Sequence, residues 1–289
     1  MDGIDSNSST PNVDSSASII PLIPHIVLHS VLDGKLVDFE GHMERLKRSL
    51  RELEYTQCVP NTEEYLEVHR TLTRLNHIQE GVVYVQVTRG VAADRAFTYD
   101  DKQLKPTVFM MTQSMELIRN VKAQRGIRVR SILDQRWGRC DIKTTQLLYQ
   151  ALGQMQARSA GVDDAWMVEP SSSENDDDMA VVTEGSSNNA WIVRDGVFVT
   201  RPTANDILAG ITRATVLRLL DETTGMALEE RPFTLQEVYQ ADEAFCTSSS
   251  NFVMPVIEMN GRPIGTGKPG PWTQRLREIY IEESRKAAI

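Results

Sequence analysis

No positively charged side chain precedes Lys35, and the first arginine is Arg45. That absence removes the basic n-region that a secretory signal requires. Cysteine is scarce: Cys58, Cys140 and Cys246 are far apart and show no CxxC spacing. Three thiols so placed exclude a disulfide framework and a thiolate zinc site. Long apolar runs are missing too. The longest, residues 17–28, is too short to span a bilayer and contains Pro21, Pro24 and His25. Bases are outnumbered, 31 against 40 acids, giving a formal charge of −9. Broad nucleic-acid binding and a polybasic membrane anchor are therefore not expected. These absences lead us to expect a soluble cytoplasmic protein without nucleic-acid or membrane partners.

What is present is ordinary for a globular protein. The 289 residues are 40% apolar and 25% charged, enough chain for about two domains. Seven of the nine net negative charges fall in two short segments. Asp2, Asp5 and Asp14 lie in a Ser-rich leader, and Glu174, Asp176, Asp177 and Asp178 lie in the acidic run 171–178. Residues 1–18 hold six serines and no aromatic, too little apolar surface to offset chain entropy, so disorder is expected there. The acidic run reads as a solvated hairpin tip.

Periodicity then predicts a hairpin over 26–39 turning at Asp33-Gly34, and helices over 41–54 and 62–78. Strands are expected over 82–88 and 108–112. The polar stretch 113–125 predicts a boundary. Beyond it the pattern gives a strand at 127–133, a helix at 144–159, and strands at 165–168 and 181–183. A hairpin over 191–200 turns at Asp195-Gly196. Helices at 210–222 and 234–242 follow, the second opening with the capping box Thr234-Leu235-Gln236-Glu237. A strand pair turning at Asn260-Gly261 and a helix over 272–286 complete an α+β chain. The expected division is a leader over 1–30, a small N-terminal domain over 31–118 and a larger domain over 119–289.

Two familiar patterns fail on inspection. Residues 261–268 are one residue too long for a phosphate loop, and Pro269 stands where Ser or Thr is needed. His25 and His29 stand four apart, a zinc-ligand spacing, with no third ligand arranged beside them, so packing is the simpler reading.

Five polar runs are not explained by packing. They are His42-Met43-Glu44-Arg45-Leu46, Arg139-Cys140-Asp141-Ile142-Lys143-Thr144, Thr183-Glu184-Gly185-Ser186-Ser187-Asn188-Asn189, Gly210-Ile211-Thr212-Arg213 and Thr247-Ser248-Ser249-Ser250. In this order they resemble the fold-type-IV pyridoxal-phosphate enzymes, most closely the D-amino-acid aminotransferase group, over roughly 31–289.

The resemblance implies a two-domain mixed α/β homodimer that binds pyridoxal phosphate near its subunit interface. It further implies transfer of an amino group from a D-amino acid to a 2-oxo acid, without a metal. Lys143 matches the lysine that forms the Schiff base with the cofactor, and Glu184 the carboxylate facing the pyridine nitrogen. Arg45, Ile211, Thr212 and Ser249, with Ser250 beside it, match the phosphate-binding positions. Ser187, Asn188 and Leu208 are carried over as further cofactor contacts.

In D-specific relatives a tyrosine on the first sheet and an Arg-x-His pair hold the substrate carboxylate. Here the tyrosine position falls near Ile26, and no tyrosine occurs in residues 1–54. The pair appears as Arg95-Ala96-Phe97, leaving Arg95 as the substrate-binding candidate. A branched-chain L-amino-acid aminotransferase, an aminodeoxychorismate-lyase-type enzyme and a non-catalytic descendant stay open as alternatives.

Overall fold

The computed structural model describes residues 25–55, 61–91, 104–171, 177–222 and 226–289. The leader up to residue 24, the Arg95 loop and most of the acidic run lie outside them.

Two sheets organise the chain. The first contains β1 (His25–Leu32), β2 (Lys35–Leu36), β3 (Glu80–Thr88) and β4 (Thr107–Ser114), in the order β2-β1-β3-β4, all antiparallel. Helices α1 (Phe39–Glu52) and α2 (Thr62–Leu75) accompany it. On α1, Met43, Leu46 and Leu50 recur at helical spacing and are fully buried against Val27, Val31, Val83 and Val85 of the sheet. Asn61 caps α2, its side chain accepting from the backbone N–H groups of Glu63 and Glu64.

The expected hairpin is shorter than its pattern. Asp33 and Gly34 adopt positive φ at the turn, but β2 ends at Leu36 because Phe39 already begins α1. At its other end β1 starts at His25, inside the span read as leader.

A short α3 (Val121–Arg125) leads into β5 (Ile127–Leu133), α4 (Leu148–Ser159), β6 (Asp164–Glu169), β7 (Val181–Gly185), β8 (Asn189–Arg194) and β9 (Val197–Thr200). Next come α5 (Ile211–Glu222), β10 (Ala227–Glu230), α6 (Leu235–Gln240), β11 (Glu243–Ser248), β12 (Phe252–Met259), β13 (Arg262–Pro263) and α7 (Pro271–Ala287). Their sheet runs β10-β9-β8-β11-β12-β5-β6-β7, with β13 on β12. Strand pairing is antiparallel except at β9–β10, β5–β12 and β5–β6. One face packs around Trp166, Val182, Ile192 and Phe233, the other around Trp191, Phe198, Phe245 and Tyr280. The capping box on α6 is present as its sequence predicts.

Two expectations are corrected. The helix expected from 144 begins at Leu148. The carbonyl of Lys143 is taken by Ile26 N–H at 3.1 Å, and Thr144 bridges to His25, so neither residue can enter a helical ladder. Strand β10 has no counterpart among the expected elements. Its Ala-Leu-Glu-Glu sequence carries little strand propensity, and pairing with β9 alone makes it a strand. No helix among the described residues is long and apolar enough to cross a membrane.

Candidate active site

The small sheet touches the large one where Lys143 stands. The Arg-Cys-Asp run before it acts as a clamp. Asp141 is buried and accepts from Arg139 Nε at 2.9 Å and from Arg48 Nη2 of α1 at 2.6 Å. Cys140 N–H donates to Asn205 O at 2.7 Å. Held from both sides, Lys143 lines a cavity of about 380 Å³, a size that suits a small cofactor and substrate.

Burial, reinforced by the Arg45 cation, lowers the Lys143 amine to about 8, while Glu184 pulls weakly the other way. An amine so tuned is substantially neutral near physiological pH. In protein stripped of any bound aldehyde, we expect an amine-directed reagent such as trinitrobenzenesulfonate to modify Lys143 with half-maximal rate near pH 8, rising to a plateau above it. Mass mapping of Lys143 checks this, and a midpoint above pH 10 would contradict it.

Glu184, near the end of β7, lines the same cavity. Burial raises its carboxyl to about 6, and Arg136 opposes that rise. Arg136 Nη1 donates to Glu184 Oε1, Asn189 Nδ2 to Oε2 at 2.9 Å, and Leu208 N–H to both oxygens at 3.3 Å. Arg136 is itself buried and holds Asp134 in a fork, Nε at 2.9 Å and Nη2 at 2.6 Å. Burial works against the Arg136 charge, but the two carboxylates more than offset it.

Arg45 of α1 also lines the cavity. Its Nη1 donates to Ala209 O at 3.1 Å, its Nη2 meets His42 Nδ1 at 3.4 Å, and its buried Nε has no partner. Facing it, α5 begins after Gly210, and its first N–H groups have no intrahelical acceptor. Glycine is required at 210, since a Cβ there would stand 2.0 Å from Asn189 Oδ1. Ser248, Ser249 and Ser250 line it from the β11–β12 turn, and Ser248 Oγ is buried without a partner.

Ten residues singled out in the sequence therefore share one cavity: Arg45, Lys143, Glu184, Ser187, Asn188, Leu208, Ile211, Thr212, Ser249 and Ser250. Arg95 lies outside the described residues. The Asn188 amide is turned aside, with Nδ2 donating to buried Asp164 Oδ2 at 2.7 Å. Gln154 and Ser186 also donate to Asp164, each at 2.5 Å, which pins the 185–188 turn.

Sequence reasoning missed Arg136, Asn189 and Asp164. Asn189 was in view as the last residue of its run. Arg136 and Asp164 carried no local signal, because their partners lie 48 and 22 residues away. The β1 wall contributes Leu28, an apolar side chain, and Trp137, Ile142, Leu147 and Ala151 extend the lining.

Comparison with known proteins gives the family and the fold. Residues 28–259 match a family model described as Amino-transferase class IV. The chain is 35% identical over 255 residues to a D-alanine aminotransferase of Staphylococcus aureus, covering 87% of this chain and 86% of that one. It is 33% identical over 247 residues to a D-alanine aminotransferase of Bacillus licheniformis, covering 86% and 82%. Among solved structures, the branched-chain amino acid aminotransferase of Escherichia coli superposes with a TM-score of 0.76 at 19% identity, covering 90% of this chain and 85% of that one. At that identity the likeness is one of fold.

Proposed function

This chain belongs to the class IV aminotransferases, pyridoxal-phosphate enzymes that exchange an amino group between amino and 2-oxo acids, and on that premise we propose that its donor is a D-amino acid of the D-alanine type and its acceptor a 2-oxo acid such as 2-oxoglutarate. The observation that carries the reading is one cavity lined together by Lys143, Glu184, Arg45 and the start of α5. The D-specific part rests on the 35% identity to D-alanine aminotransferases.

The residues present fit the cofactor. Arg45 Nε and Ser248 Oγ, both buried and unpartnered, ask for an acceptor and a polar neighbour where a phosphate would lie. Arg45, Ile211 and Thr212 N–H, Ser249 and Ser250 would hold that phosphate. Leu208, Ser187 and Asn188 line the same cavity and would be the further cofactor contacts.

When bound, pyridoxal phosphate supplies an aldehyde that captures amines and a ring that accepts the electron pair left as the α-proton departs. Lys143 would anchor the cofactor and then act as the base, its neutral Nζ taking the proton from the donor's α-carbon and handing it on. Glu184, kept ionised by Arg136, Asn189 and Leu208 N–H, would be the carboxylate that keeps the ring nitrogen protonated. Arg95 is the candidate for the substrate carboxylate.

In this reading the chain divides into a small domain over 31–118 and a cofactor-binding domain over 119–289. The test is a half-reaction with purified holoenzyme. D-alanine should convert the cofactor from its aldehyde to its amine form and release pyruvate, while L-leucine should not. Conversion by L-leucine alone would move the assignment to the branched-chain group, for which the apolar lining of Leu28, Trp137 and Leu147 is suited. Conversion by neither would sink both.

We further propose a homodimer. On α4, Leu148, Leu152 and Met155 share one face, with Leu148 76% and Met155 64% exposed, and Phe109 and Met111 are exposed on β4. An apolar stripe of this kind on an exposed helix face is what an interface covers. Leu152→Arg should shift sedimentation from dimer toward monomer; an unchanged dimer would place the interface elsewhere.

A further inference from the structure

Four of the chain's five histidines, His25, His29, His42 and His69, are buried together between the small sheet and its helices. The His29 ring centroid lies 4.6 Å from those of both His42 and His69. Among the described residues no such group is arranged to hold a metal ion. The hydrogen-bond partners of His42 point elsewhere.

Arg45 Nη2 can only donate, so His42 Nδ1, 3.4 Å away, must accept. A neutral imidazole has a single N–H, which then belongs to Nε2. That nitrogen lies 3.4 Å from Ser249 Oγ. Both contacts are long, but their directions leave one consistent assignment.

The ring is kept neutral by burial, helped by the fields of Arg45, Lys143 and His69. His29 of β1 packs on the same ring and is neutral for the same reason, so no carboxylate offsets those charges. With its oxygen accepting from His42, Ser249 has its own hydrogen left to give. Its backbone is fixed independently, since Ser249 O accepts from Ser30 Oγ of β1 at 2.7 Å. Ser249 and Arg45 both line the cavity, at the end assigned to the phosphate.

We propose that His42 is a positioning residue for the cofactor's phosphate, a single Nε2–H imidazole that orients the Arg45 guanidinium and the Ser249 hydroxyl together toward the anion. The proposal rests on the reading that Arg45 and Ser249 hold that phosphate.

A double-mutant cycle on cofactor binding tests it. Pyridoxal phosphate is stripped from the full-length holoenzyme, and its Kd is measured for wild type, His42→Leu, Ser249→Ala and the double variant. Each single change should weaken binding about tenfold, the worth of one charge-assisted hydrogen bond. The double should also lose about tenfold, because both changes break the same link. The phosphorus NMR shift of the bound cofactor should move alike in all three variants.

A double variant weakened about a hundredfold, the additive result, overturns the proposal while leaving the phosphate reading intact. An unchanged Kd in Ser249→Ala overturns both. Should His42→Leu not fold, two amides serve in its place. His42→Gln places a donor near the Nε2 position and should keep nearly wild-type affinity. His42→Asn cannot reach Ser249 and should bind like Ser249→Ala. Equal affinities for the two amide variants would overturn the proposal.

Discussion

Lys143→Ala is expected to lower transamination by at least about 10³-fold, the largest effect of any single change in this protein. Two functions disappear together. In the proposed reading the lysine is both the amine that joins the cofactor and the base that moves the α-proton, and loss of a positioned general base alone costs about 10²–10⁴. The cofactor itself should stay bound, because Arg45, the α5 N-terminus and the serine turn are untouched. The absorbance band of the lysine-linked cofactor should therefore vanish, while dialysis still leaves pyridoxal phosphate on the protein. Added methylamine, a small neutral amine, should restore part of the α-proton transfer. Persistence of the linked band in the variant would remove Lys143 from the role.

Glu184→Gln should cost about 10²–10³ in kcat, as removal of a preorganised charge partner does in a water-excluded site. The amide keeps the volume and can still accept from Leu208 N–H and Asn189. It cannot offer a negative charge to the ring nitrogen, so the ring withdraws electrons less strongly. The loss should appear in kcat and in the pH at which the bound cofactor's absorbance titrates, with cofactor affinity changing far less. A wild-type kcat in this variant would contradict the pairing.

Arg136 gives the necessary comparison. Its guanidinium reaches both Glu184 and Asp134 and is nearly inaccessible to water. In Glu184→Gln, Arg136 loses one of two anionic partners but keeps the fork to Asp134, which limits the cost of an uncompensated buried charge. A circular-dichroism melt close to wild type would separate the electronic effect on catalysis from a folding defect.

Much of this protein was legible before its structure. The runs around Arg45, Lys143, Glu184, Ile211 and Ser249 are local. Each has a fixed spacing because a turn, a helix start or a strand end sets the side chains within a few residues, so order along the chain preserves them. The α1 stripe and the α6 capping box are local in the same sense, and both appear as expected.

Elements that depend on distant partners were not legible. The helix after Lys143 starts four residues later than its pattern because a strand 117 residues earlier takes the Lys143 carbonyl. Strand β10 exists because β9 is beside it. Arg136 and Asp164 looked like ordinary polar residues in a loop and at a strand start, and His42 stood in a singled-out run without a role of its own. They became part of the site only through Glu184, Asn188 and Ser249, at separations of 48, 24 and 207 residues.

The ordered set of polar runs was enough to point to the family and its cofactor. Such runs act through short-range spacing, which any fold of this chain must respect. The tertiary structure alone decided the electrostatics: a lysine lowered to about 8, a carboxyl raised to about 6, and an imidazole held neutral by burial. Those depend on burial and on charges brought close from remote parts of the chain, which a linear sequence does not specify.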